Sequence, residues 1–418
     1  MKKLLLFFLI FLIIGCEKND TSTVQKFDVD FNYNVTSDSI EFNVKETTDN
    51  LKYKLYLSND EIKNGIVNDT NIIDGLENNT EYKLVIYNNN GKKTKDIKTE
   101  KLTTLRFGGD VMMTSYFENY INMYGVDYMW EDVKDLITSA DYSIFNLETS
   151  VSNRGNDTKP AEYGFRSKPT SLEGLKNAGI DMVNLANNHV LDYGKEAFLD
   201  TMDNLKKYNI EYIGSGKNYN EASKIKYQNI NGIKFSFVGL TSILGYKEWS
   251  ATENREGVFY LNESDYQNIY NIIKEADQNS DYVVVFTHWD REYYNYPQES
   301  TINIAHNLID NGADIIIGTH PHVLQGIEYY NNGIIYYSLG NFNFLIKNDN
   351  ASQTGLFELN LDSKKIISSR IYPVRINNCK ANLLENNDNL YNTIIANLNE
   401  RSKMFNTEVT TDGYIKTK

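Results

Sequence analysis

Ala313-Asp-Ile-Ile-Ile-Gly-Thr-His-Pro-His322 decides the fold. An apolar, β-branched run that gives way to small residues reads as a central strand entering a loop, so His320 and His322 sit at a strand's carboxyl end. Open α/β sheets carry their sites there. Pro321 fixes one backbone angle between the two histidines, which suits two ring nitrogens aimed at neighbouring metal ions. On its own the stretch fits a polar surface turn equally well.

The same pattern recurs along the chain. Residues 103–107 run into Gly108-Gly109-Asp110, residues 142–145 into Asn146-Leu147-Glu148, residues 182–185 into Ala186-Asn187-Asn188-His189, and residues 282–286 into Thr287-His288. Five apolar runs thus each deliver an Asp, Glu, Asn or His near their ends, and four of the five histidines lie in these loops. Scattered surface polarity would not fall this way. Carboxylates and imidazoles without a thiolate point to a divalent metal, Mn2+, Fe2+, Zn2+ or Mg2+, with one or two ions. Asp192 and Glu292 are loop carboxylates near these positions, either orienting a histidine or simply solvated. His306 falls inside a helical pattern and reads as a packing or surface residue.

The 418 residues, 41% of them hydrophobic, suffice for two or three domains with sizeable cores. A net charge of −14 leaves no basic patch to neutralise phosphates and argues against a nucleic-acid partner. Residues 1–15 read as a secretory leader, in which Lys2 and Lys3 precede an apolar run too short to span a bilayer. Ile13-Ile14-Gly15-Cys16 resembles a bacterial lipobox, with Ile13 where Leu is usual. The resemblance implies a lipidated Cys16 whose two acyl chains hold the protein to the bacterial cell membrane, outside the cytoplasm.

After the leader at 1–16, residues 17–25 read as a polar tether. Residues 26–103 carry short alternating runs between Asn, Asp and Gly clusters, the pattern of an antiparallel β-sandwich. Leu76-x-x-x-Thr80-x-Tyr82 resembles the tyrosine corner of fibronectin type III modules, with Asn78 where proline is usual. No histidine falls here, so the segment reads as a spacer or docking module. Residues 104–376 alternate strand-like runs with helical spacing at 130–140, 172–178, 195–208, 266–276 and 302–311, the order of an α/β domain. Residues 377–418 read as a helical tail around one amphipathic stretch, 390–404.

Phe107-Gly-Gly-Asp-Val-Met112, Asn146-Leu-Glu148, Asn184-Leu-Ala-Asn-Asn-His-Val-Leu-Asp-Tyr-Gly194, His288-Trp289 with Glu292-Tyr293, residues 318–325 and Tyr337-Ser-Leu-Gly-Asn341 follow one another in sequence. In these blocks the chain resembles the CapA family, the poly-γ-glutamate capsule biosynthesis proteins of the calcineurin-like metallophosphatase superfamily. The resemblance implies a four-layer α/β/β/α sandwich. It implies Asp110 and His322 as ligands of a first ion, Glu148 as a bridging carboxylate, Asn188 as the metal-binding asparagine, and His288 and His320 as ligands of a second ion. His189 is implied as the catalytic residue that meets substrate and protonates the leaving group. Paired divalent cations supply the nucleophile and charge compensation that such a hydrolysis needs.

Three positions depart from the pattern. Met112 puts a thioether where the superfamily has an imidazole, Glu148 replaces an Asp, and Asp290 adds a carboxylate beside His288 where the family has Gly. The implied function is a surface-anchored, metal-dependent hydrolase in synthesis, export or release of an anionic capsule polymer such as poly-γ-glutamate, beside capsule synthesis or export membrane proteins. A general surface phosphoesterase is one alternative. The other is a non-catalytic lipoprotein subunit of a polymer-export complex, its metals serving as clips. His189 beside the ligand set favours an enzyme, and Met112 favours the clip.

Overall fold

A computed structural model describes residues 27–45, 50–159, 164–346 and 348–418. The leader, Cys16 and the tether lie outside the described residues. Among the described residues no helix is long and apolar enough to cross a membrane. The chain divides into two compact units, Met1–Thr99 and Glu100–Lys418.

In the first unit Phe31–Val35, Ile40–Val44 and Asn71–Ile73 form one antiparallel sheet, and Asp60–Ile66, Lys52–Leu57, Glu81–Asn88 and Gly91–Lys98 form another. Alternation explains the core: Tyr82, Leu84 and Ile86 turn inward from one strand and meet Phe31, Ile40 and Phe42 from the other sheet. The Tyr82 hydroxyl accepts from the Glu77 backbone N–H at 2.9 Å, which satisfies the polar end of a buried ring.

The second unit holds two large sheets. Glu211–Ile213, Met182–Asn184, Tyr142–Leu147 and Thr103–Val111 run parallel, and Gln353–Leu361, Ile366–Asn377, Tyr414–Thr417 and Thr407–Val409 extend that sheet in antiparallel fashion. In the other sheet Ile233–Thr241, Tyr282–His288, Ile315–Thr319 and Gly333–Tyr336 run parallel. Strand Tyr282–His288 shows why both faces are apolar. Val284 and Phe286 enter a core shared with Phe107, Ile144 and Met182 of the larger sheet, while Val283 and Val285 meet the helices Tyr266–Gln278 and Glu299–Asp310. Those helices bury Ile269, Ile273 and Ala276, and Ala305, Leu308 and Ile309, at helical spacing. Each fully buried Ile contributes roughly 1.5–3 kcal/mol. Helices Leu172–Asn177 and Gly194–Lys207 cover the outer face of the larger sheet in the same way. The order of layers is helix, sheet, sheet, helix.

Two segments differ from the sequence reading. Within 130–140 only Lys134–Thr138 is α-helical, because Trp130 is fully buried against Phe145 and Phe342 and the chain turns around it. The tail at 377–418 is more than a helix. Lys380–Leu383, Thr407–Val409 and Tyr414–Thr417 join the larger sheet, and helix Asn389–Ser402 drives Tyr391, Ile394, Ile395 and Leu398 into the core between the sheets.

Candidate metal centre

The parallel strands of both sheets point their carboxyl ends at one place. Thr103–Val111 carries Asp110, Tyr142–Leu147 is followed by Glu148, and Met182–Asn184 leads to Asn188 and His189. From the other sheet Tyr282–His288 ends on His288, and Ile315–Thr319 leads to His320 and His322. Backbones crowd here. A Cβ on Gly109 would fall 1.9 Å from the Gly340 carbonyl oxygen, so only glycine lets Asp110 N–H donate to that oxygen at 3.0 Å. His320 and His322 hold φ of 93° and 57° on either side of Pro321, an unfavourable backbone that the surrounding packing must maintain. Asn187 shapes the neighbouring turn, its Oδ1 accepting from His189 and Val190 N–H at 3.1 and 3.0 Å.

Asp110, Glu148 and His288 are fully buried, and His320 and His322 nearly so. Asn146 Nδ2 donates to Asp110 Oδ1 at 2.8 Å, and His320 N–H donates to Asp110 Oδ2 at 3.2 Å. His322 Nδ1 lies 2.9 Å from Asn341 Oδ1 and 3.1 Å from Asp110 Oδ2, which leaves Nε2 as its lone-pair atom. His288 Nε2 is surrounded by Asn188 Oδ1 at 2.9 Å, His320 Nδ1 at 3.1 Å and Glu148 Oε1 at 3.6 Å. Glu148 Oε1 has no hydrogen-bond partner among the described residues, although His189 Nε2 and His322 Nε2 also lie 3.9 Å from it.

Burial, and then the neighbouring Asp110 carboxylate, push Glu148 well above the usual carboxylate range. Burial, and then the neighbouring imidazoles, hold His288 and His320 well below the usual histidine range. Neutral imidazoles, an orphaned carboxylate oxygen and an amide oxygen therefore converge with more lone pairs than protons. Such a donor set fits divalent cations. Three groups of donors have ligand atoms within 4.8 Å of one another: Glu148, His288 and His320; Asp110, Glu148 and His322; and Glu292, His320 and His322.

His189 stands at the edge of this cluster. Its Nδ1 donates to Asp192 Oδ2 at 2.7 Å, so Nε2 is the free atom and faces Glu148. Asp192 is fully buried, also accepts from Phe165 N–H at 2.8 Å, and pairs through Oδ1 with Lys159 Nζ at 2.7 Å. Lys159 donates to the Asn188 carbonyl oxygen at 2.8 Å. The Phe165 ring stacks on the imidazole at 3.9 Å.

Each predicted site residue that is described reaches this region, and of these Glu292 alone meets neighbours other than those expected. Met112 is buried within the apolar cluster that also holds Phe117 and Phe145. Asp290 turns from His288 and accepts from the backbone N–H of Arg291 and Gln298 at 2.8 and 3.1 Å. Among the described residues Glu292 orients no histidine by hydrogen bond and instead brings a carboxylate oxygen within 4.8 Å of ring nitrogens of His320 and His322. His306, expected as a packing or surface residue, stacks on Tyr330 and lies 3.0 Å from Glu328. The sequence assigns no role to Asn146 or Asn341, which stand inside the quoted motifs, nor to Lys159 and Phe165, which stand outside them. Asn146 lies near the end of the strand Tyr142–Leu147, two residues before Glu148, so the same run that delivers Glu148 delivers it. Lys159 lies in a loop with no local pattern.

The profile of the family described as "Bacterial capsule synthesis protein PGA_cap" matches residues 104–345, more than half of the chain. The chain is 35% identical over 254 residues to "Capsule biosynthesis protein CapA" of Bacillus anthracis and 36% identical over 256 residues to "PGA biosynthesis protein CapA" of Bacillus subtilis (strain 168). Each match covers 60% of this chain, and 61% and 66% of those proteins, less than two thirds of either. A "probable polyglutamine synthesis accessory protein" of Mycobacterium tuberculosis is 28% identical over 212 residues, 49% of this chain and 55% of its own. Asp110, Glu148, Asn188, His189, His288, His320 and His322 all lie within the matched stretch. The chain belongs to the bacterial capsule synthesis protein family PGA_cap.

Proposed function

We propose that this protein is a metal-dependent hydrolase with a metallophosphatase-like fold, acting in synthesis, export or release of an anionic capsule polymer such as poly-γ-glutamate. Asp110, Glu148, Asn188, His288, His320 and His322 would hold one or two divalent cations. Cations there would supply Lewis acidity and would offset the two buried carboxylates. The remaining chemistry falls to the chain's own side chains. His189 offers Nε2 to the reacting group, because Nδ1 is committed to Asp192. Lys159 keeps Asp192 in place, and the Phe165 ring fixes the imidazole plane and shields it from water.

The observation that carries this reading is the Lys159–Asp192–His189 series aimed at a carboxylate oxygen with no hydrogen-bond partner among the described residues. A cluster serving only as a structural clip has no use for an oriented proton carrier. The names of the relatives support the polymer. A lipid anchor at Cys16 and a fibronectin type III-like spacer at 26–103 complete the proposed surface protein. The 3-plus-4 strand pairing and the Tyr82–Glu77 hydrogen bond support that spacer. Met112 in the apolar core, which leaves the Asp110 side one imidazole short, favours the second reading, a non-catalytic subunit of an export complex.

Hydrolysis of an activated phosphodiester and of poly-γ-glutamate, with Mn2+ added, separates the two readings. Wild type should turn over at least one substrate, and His189→Ala should keep its metal while slowing roughly 10²- to 10⁴-fold. A wild type inert on both, together with capsule formation supported by His189→Ala in cells, would leave only the structural reading.

A further inference from the structure

His322 belongs to two groups of converging donors, one with Asp110 and Glu148, the other with His320 and Glu292. Glu292 differs from the other donors in being exposed, so it reaches the cluster from the solvent side. Its loop is fastened for that purpose. Asp290 and Tyr293 flank it with φ of 71° and 62°, left-handed angles that non-glycine residues adopt at a cost. Tyr293 N–H donates to the Pro321 carbonyl oxygen at 2.8 Å, tying the loop to the residue between the two histidines. Asp290 accepts from Arg291 and Gln298 N–H, and the buried Gln325 donates through Nε2 to the Tyr294 carbonyl oxygen at 2.9 Å. Independently, Glu148 Oε1, fully buried and without a hydrogen-bond partner among the described residues, lies 3.9 Å from Nε2 of His322, the residue common to both groups.

We propose that Glu292 is a metal ligand, a third carboxylate that joins His320 and His322. Asp290 then serves as the brace that aims its neighbour. With two divalent cations bound, three carboxylates leave the cluster close to neutral but still positive, which suits an anionic substrate arriving from the same side. As the exposed donor, Glu292 is also the ligand that such a substrate can displace.

The inference rests on the metal-centre reading, and direct binding distinguishes the failure of one from the failure of the other. Mn2+ binding by equilibrium dialysis and the visible absorption of the Co2+-loaded protein are measured on the full chain and on Glu292→Gln and Glu292→Asp. Glu292→Gln should bind one ion at least about tenfold more weakly and shift the Co2+ bands, and Glu292→Asp should recover part of the loss. Equal metal-free unfolding midpoints would show that the exposed substitutions leave the fold intact. Unchanged ion number, affinity and Co2+ spectrum in Glu292→Gln would overturn the inference while leaving the metal centre standing. A wild type that binds neither ion would overturn both.

Discussion

Replacing Asp192 by Asn isolates the ion pair behind His189. Asn can keep its oxygen at the Oδ2 position, where it still accepts from Phe165 N–H and His189 Nδ1. Its amide nitrogen then meets the Lys159 ammonium, donor against donor, at a site where Lys159 is 12% exposed and Asp192 fully buried. Removing one partner of a buried pair costs about 3–5 kcal/mol, chiefly because the other charge is stranded. Lys159→Met removes that charge, so Lys159→Met/Asp192→Asn should recover most of the loss and fall within about 1–2 kcal/mol of wild type. Urea unfolding of the metal-free protein, followed by tryptophan fluorescence, is the assay. The three tryptophans, at 130, 249 and 289, all lie in the Glu100–Lys418 unit, so the signal reports on that unit alone. A double variant no more stable than Asp192→Asn would refute the pair as the source of the cost.

Asp314 makes a pH-dependent prediction. Burial, with a smaller push from Asp277, raises it from 3.8 to about 6 despite the hydrogen bond it accepts from Val283 N–H. The folded state therefore holds its proton more tightly than the unfolded chain. Its stabilising effect is complete below about pH 4 and is lost as pH rises through about 6, a change of about 3 kcal/mol. Asp314→Asn, which still accepts from Val283, should be more stable than wild type at pH 7.5 by up to that amount and should lose the advantage at pH 4 in the same urea assay. At the amino terminus, Cys16→Ser should abolish lipid labelling and move the protein out of the detergent phase. Unchanged labelling and partitioning would rule out the anchor.

Much of the site was legible because the chemistry lies where strand periodicity ends. Asp110, Glu148, Asn188, His288 and His320 each follow a run whose apolar residues fill both faces of a sheet, so position in sequence fixed position in the fold. What the sequence could not convey were contacts made across it. Lys159 meets His189 and Asp192 from thirty or more residues away, and its own segment carries no periodicity. Asp290 and Glu292 sit two residues apart, yet left-handed angles at Asp290 and Tyr293 send one carboxylate to the backbone and the other towards the imidazoles. Helix Ser115–Tyr124 escaped notice because much of its aromatic surface, including Tyr116 and Tyr124, is exposed and obscures the apolar stripe. The tail strands are short and gain their apolar surroundings only by pairing with Ile366–Asn377 and with each other.

Whether the convergence of Asp110, Glu148, His288, His320 and His322 is a metal centre can be read from metal content. Purified protein, stripped with chelator and dialysed against Mn2+, should retain one or two ions per chain, whereas Glu148→Ala, which removes the carboxylate common to two donor groups, should lose them. Metal-free wild type after the same dialysis, or equal metal content in wild type and Glu148→Ala, would contradict the account.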